Sequence, residues 1–154
     1  MENIKTFRVV SMCLILVLSS CGGEQTRKKT PNELRYELQQ QELTKPLDYV
    51  SVENVKLYPQ TKEVRKARLF KKAKYEDDGA IIEGYIVNKA SLAKFKDVAL
   101  KVTYFSSTKS IISEKSFILF EYFYPNTTES FSIKVYPPQS YSEFNIKVVD
   151  AIGE

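Results

Sequence analysis

Val98-Ala99-Leu100-Lys101-Val102-Thr103-Tyr104-Phe105 is the stretch that decides the fold. Val98, Leu100, Val102 and Tyr104 alternate with Ala99, Lys101, Thr103 and Phe105, the period of a strand with one face buried and the other wet. The same period recurs at Phe131, Ile133 and Val135, and again at Phe144, Ile146 and Val148. Ile81 to Asn88 and Phe117 to Tyr124 are more continuously apolar, which predicts strands covered more deeply. Earlier in the chain Val50 and Val52 share one strand face while Val55 and Leu57 share the other. A bulge at Glu53-Asn54 would bring the four together.

Turn residues separate these runs at Asp78-Gly79, Ser106-Ser107, Pro125-Asn126 and Pro137-Pro138. Counting the basic run at 66–75, about seven strands follow one another at short intervals with no helix between them. Such spacing predicts an all-β, antiparallel β-sandwich over 49–154 and excludes a parallel α/β sheet. Residues 79–150 resemble the Ig-like modules of small bacterial envelope lipoproteins, including the FxLYD type. The carriers are Gly84-Tyr85-Ile86-Val87-Asn88, Phe95-Lys96-Asp97-Val98 and the strand to Phe105, then Pro125 and the strand at Phe131. Tyr104-Phe105-Ser106 stands where the Leu-Tyr-Asp triplet would be. The resemblance implies an Ig-like fold and brings no activity with it.

Upstream of the strands, Thr30-Pro31-Asn32-Glu33 reads as a helix start: a cap, a proline in the first turn and a glutamate able to reach back. The helix expected over 31–42 carries Leu34 and Leu38 at i, i+4, too thin a stripe to stand alone. It either docks on the sandwich or acts as a spacer within a helix-and-linker segment, 30–48. Before it, 21–29 is polar, Gly-containing and aperiodic, as a flexible tether would be.

The first 21 residues have three zones. Lys5 and Arg8 are basic, Val9 to Leu18 is apolar apart from Ser11, and Leu18-Ser19-Ser20-Cys21 closes the segment. That order is a secretory signal over 1–20, and the apolar run is about half of the roughly 20 residues a membrane span needs. Leu-Ser-Ser-Cys resembles the bacterial lipobox. The resemblance implies that Cys21 becomes the mature N-terminus, bearing a diacylglycerol thioether and usually a third acyl chain on its amine. Two or three chains, at about 0.8 kcal/mol per buried methylene, hold a protein firmly to a bilayer. The expected place is the cell envelope, and the absence of an aspartate at position 22 favours the outer membrane.

Removing 1–20 from 154 residues leaves 134, a size for one domain. With Cys13 in the signal and Cys21 acylated, no disulfide remains to be made. The net charge of +4 falls to +3 when Glu2, Lys5 and Arg8 leave, too mild an excess to demand nucleic acid. There is no His, so the commonest general base and zinc ligand are missing. Ser91-Leu92-Ala93-Lys94 matches S-x-x-K but lacks the S-D-N and K-T-G elements that acyl transfer needs. Glu76-Asp77-Asp78-Gly79 is followed by apolar Ala80, Ile81 and Ile82, so it reads as a solvated turn rather than a calcium loop. No enzyme, metal or cofactor is expected.

Two clusters remain. Lys62, Arg65, Lys66, Arg68, Lys71, Lys72 and Lys74 are opposed only by Glu63. Read as a strand, Lys66, Arg68, Lys72 and Lys74 share a face: plainly the charged guard of an edge strand, or else an anionic-ligand contact. The second cluster is Phe117, Phe120, Tyr122, Phe123 and Tyr124, with Tyr136 and Tyr141 downstream, read as core packing with tyrosines at the rim, or else a platform for sugars. The expected function is a membrane-anchored, non-catalytic binding or scaffolding lipoprotein with an envelope protein as partner. A glycan- or anionic-lipid-binding module is the alternative.

Overall fold

The computed structural model describes residues 27–67, 69 and 72–154. Two helices come first, α1 (Pro31–Thr44) and α2 (Pro46–Tyr49), then six strands. These are β1 (Val50–Arg65), β2 (Lys74–Asn88), β3 (Phe95–Phe105), β4 (Ile111–Phe123), β5 (Thr127–Val135) and β6 (Glu143–Gly153). They form two three-stranded antiparallel sheets, ordered β1-β2-β5 and β4-β3-β6. The expected all-β, sandwich-like architecture is therefore present with six strands rather than seven. Among the described residues of the basic run no separate strand forms: β2 starts at Lys74 and runs unbroken through the supposed turn at Asp78-Gly79.

The alternation that decides the fold decides the core. Val98, Leu100, Val102 and Tyr104 of β3 are buried and face Ile82 and Ile86 of β2 and Phe131, Ile133 and Val135 of β5 in one cluster. Phe144, Ile146 and Val148 pack on it from β6, and Val52, Val55 and Leu57 from β1. The β1 residues reach the same side because Asn54 and Val55 stand opposite Gly84 alone, with Asn54 at φ +53°. The inferred bulge exists, one residue further on. Gly84 is required there, since a Cβ would come within 2.9 Å of the Phe131 ring and 3.2 Å of the Glu53 carbonyl. A second bulge replaces the expected turn: Asp78 and Gly79 of β2 stand opposite Gln60, and Gly79 adopts φ +83°.

The two ends of the sandwich differ in construction. At one end α1 arrives, and β1, β3 and β5 begin. At the other, β2 has β5 beside it only as far as Ala80, so Thr61–Arg65 and Lys74–Asp77 pair with each other alone. At about 3.3 Å per residue this two-stranded ribbon extends about 20 Å past its last three-stranded row. Phe117 to Phe123 also needs correction. It belongs to β4, an edge strand, and is not covered on both faces.

Candidate functional site: a basic ribbon and the braced end opposite

The ribbon gathers much of the basic cluster. Lys62 lies opposite Glu76, and Arg65 lies opposite Lys74. Lys66 and Lys72 stand on the connection beyond the strands, so the shared strand face predicted for Lys66, Arg68, Lys72 and Lys74 does not form. The chain must reverse between Arg65 and Lys74, and that reversal takes the residues out of the ladder. Arg68 lies outside the described residues, as does Cys21. Lys74 pairs with Glu76 at 2.8 Å, and Arg65 Nη2 donates to the Lys72 carbonyl at 3.2 Å. Like charges directly opposite each other, as at Arg65 and Lys74, weaken a strand pair. Between the cations the ribbon exposes Val64, Tyr75 and, at its turn, Leu69, which is 86% exposed.

The base of the ribbon is fixed. A Cβ on Gly79 would meet the Val135 carbonyl oxygen at 2.4 Å and the Tyr136 ring at 2.8 Å, so only glycine fits beneath that ring. Lys134 Nζ donates to Asp78 at 2.7 Å and lies 5.5 Å over the Tyr136 ring. The Lys134 hydrogen bond is the main reason the Asp78 carboxyl titrates below its ordinary range, with the charges of Lys134 and Lys62 adding to it. Asp77 accepts from the Gly79 N–H at 3.0 Å. Of the carboxylates weighed as calcium ligands, Asp77 and Asp78 thus hold the bulge and its neighbour strand, while Glu76 pairs with Lys74.

At the opposite end the S-x-x-K segment turns out to be an anchor for a carboxylate. Glu42, in the last turn of α1 and 1% exposed, accepts from the N–H groups of Ser91, Leu92 and Ala93 at 2.7, 2.8 and 2.8 Å. Burial pushes its carboxyl up, and these hydrogen bonds together outweigh it and hold the pKa below the ordinary value. Leu43 lies against Gly153, where a Cβ would meet it at 2.6 Å. The helix therefore docks by its C-terminal turn, while Leu34, Tyr36 and Leu38 stay exposed. Thr30 and Glu33 form the expected capping box. The Glu42 contact was hidden in the sequence, since one of three glutamates on a polar helix names no partner.

Asn88 completes this end. Fully buried, it donates from Nδ2 to the carbonyls of Ala93 and Phe123 at 3.1 and 3.0 Å, and its Oδ1 accepts from the Ala90 N–H at 2.9 Å. The aromatic cluster divides by face. Phe123 is buried and Phe117 packs on the core, whereas Phe120 is 80% exposed, with Tyr122 and Tyr124 exposed beside it. On the outer face of the other sheet, Tyr58 and Tyr85 flank a shallow groove with Lys56, Glu83, Ser130 and Ser132. Among the described residues no helix is long and apolar enough to cross a membrane. Compared with known proteins, the chain matches no family model, no curated protein and no solved structure.

Proposed function

We propose that this chain is a bacterial envelope lipoprotein, acylated at Cys21 and held on the outer membrane, whose Ig-like sandwich is a non-catalytic module binding an acidic surface of an envelope protein. One observation carries the reading: a ribbon of two strands, fixed at its base by Gly79 and Tyr136, projects cations and an exposed Leu69 past the core. Among the described residues, its strands at 61–65 and 74–77 are exposed throughout, so their apolar and cationic side chains are free for contacts outside the chain. An acidic partner would also relieve the repulsion between Arg65 and Lys74. The lipobox-like Leu18-Ser19-Ser20-Cys21 supports the anchor.

The test is a photo-crosslinking residue at Leu69 in the lipidated protein within its native envelope. A discrete protein adduct is expected, lost when Lys66, Lys72 and Lys74 become Glu. Crosslinks to lipid alone, or an adduct indifferent to the charge reversal, would overturn the assignment. A saccharide-binding reading has one observation of its own, the Tyr58–Tyr85 groove with its hydroxyl, amine and carboxylate lining. It predicts that Tyr85→Ala abolishes binding to a cell-wall glycan and leaves the Leu69 adduct intact.

A further inference from the structure

The outer face of β4 carries a second surface, distinct from the ribbon and at the other end of the molecule. Ile118, Phe120 and Tyr122 point outward from this edge strand, and Ile152 and Tyr124 lie exposed in the same region. Lys96 connects them: it is the β3 partner of Tyr122 on one side and of Ile152 on the other. Lys94 Nζ sits 4.4 Å over the Tyr122 ring. Glu154 reaches both lysines, at 3.2 Å from Lys94 and 3.7 Å from Lys96.

Phe120 stands on this face by the strand's own alternation, between Ile118 and Tyr122. Phe120 and Glu121 occupy a bulge opposite Asp97, which itself adopts φ +51°. A bulge re-aims side chains and ends regular pairing. Here it interrupts the pairing beside Phe120, whose ring is 80% exposed on the edge strand.

We propose that this face rests on the lipid surface to which the chain is anchored, with Phe120, Tyr122 and Tyr124 at headgroup level and Lys94 and Lys96 against anionic headgroups. The inference rests on the anchoring of Cys21. Its position argues for lipid over another occupant: Phe123, Lys94 and Ile152 lie at the end where Glu42 and Leu43 bring α1 in, the end nearest the tether. The stretch between Cys21 and Arg27 spans at most about 20 Å, and α1, about 20 Å long, joins it to that end, so the chain can set that end down on the bilayer. Arg27, Lys28 and Lys29 add cations before α1, where Arg27 and Lys29 pair with Glu33 and Glu37. Aromatic rings with lysines are what a membrane–water interface selects. The ribbon, about 50 Å along β1 from Val50, is then directed away from the anchoring membrane.

The chain has no Trp, so one introduced indole reports its own surroundings. The lipidated protein bearing Phe120→Trp, and separately Leu69→Trp, is placed in vesicles of phosphatidylethanolamine and phosphatidylglycerol with brominated acyl chains. The fluorescence of the Phe120→Trp protein is expected to be blue-shifted and quenched several-fold more than that of the Leu69→Trp protein, with quenching weakened by salt. Equal, weak quenching in both variants, in protein that floats with the vesicles, overturns the inference. So does a blue shift of the Phe120→Trp protein in lipid-free detergent that grows with protein concentration, which would assign the face to a second copy. Tyr122→Trp gives the same reading if the first variant folds poorly. Flotation tests the anchor separately. If the protein does not float, quenching of the Phe120→Trp variant on adding vesicles sustains the surface while the anchor fails, and no quenching overturns both.

Discussion

The two ends of the sandwich are built from similar residue types to opposite effect. At the α1 end, charged and polar side chains turn inward: Glu42 is held by three N–H groups, and Asn88 ties Ala90, Ala93 and Phe123 together. At the ribbon end, Lys62, Arg65 and Lys74 lie on two strands with no third strand beside them. The same chemistry stabilises where water is excluded and every donor is met, and is free for outside contacts where neither holds. Sequence composition alone does not separate the two, because the distinction lies in what faces each group.

The contrast requires a core that both ends share. Val102→Asp would place an unpaired charge among fully buried residues and should unfold the domain outright. A penalty of about 4–5 kcal/mol is comparable to the whole stability of such a domain. Circular dichroism should show no cooperative melt. Native-like melting would mean that the β3 register is wrong, and with it the assignment of both ends.

Asn88→Ala tests whether the α1 end is held by its polar groups. Three backbone groups would lose their partner in a buried place, a loss of about 3 kcal/mol of stability in denaturant titration. Glu42→Ala should cost less, about 2 kcal/mol, because α1 can undock and water can reach Ser91–Ala93. Hydrogen exchange should quicken at 91–93 and stay unchanged in the ribbon. The Glu42 carboxyl is held below its ordinary value, so it binds its proton more weakly in the folded state than in the unfolded one. Its contribution is therefore full above the ordinary carboxylate pKa and is lost as pH falls through the lowered one. The variant should lack that part of the acid sensitivity; equal acid sensitivity in both proteins would remove Glu42 from the account.

What the sequence made legible follows from range. Period-two alternation is local, so β3, β5 and β6 were readable, as were the capping box and the need for a β1 bulge. The six-strand count was not, because Lys74–Asp77 continues a strand through residues with the chemistry of a turn. Gly79 looked like a hairpin glycine and serves a bulge, since either use needs positive φ. An apolar run at 117–123 could not reveal that β4 has no outer neighbour. The contacts of Glu42 with Ser91–Ala93 join positions about fifty apart and leave no local pattern.

The smallest effect on stability belongs to the ribbon, and that smallness is the point of the comparison. Lys72→Glu with Lys74→Glu removes the exposed Lys74–Glu76 pair and replaces it with a repulsion, but it also turns the Arg65–Lys74 repulsion into an attraction. Exposed pairs contribute little either way, so the melting temperature should move by the equivalent of about 0.5 kcal/mol or less. Capture of the envelope partner through Leu69 should nonetheless be lost, because the cations act on the partner rather than on the fold. Binding to anionic vesicles through the ribbon should be weak at physiological salt, where exposed charges are screened over about 8 Å. High-affinity, salt-sensitive binding of one anionic ligand, abolished by the same two substitutions, would transfer the ribbon from a protein partner to that ligand. A large fall in melting temperature would make its cations structural, and the contrast between the two ends would fail.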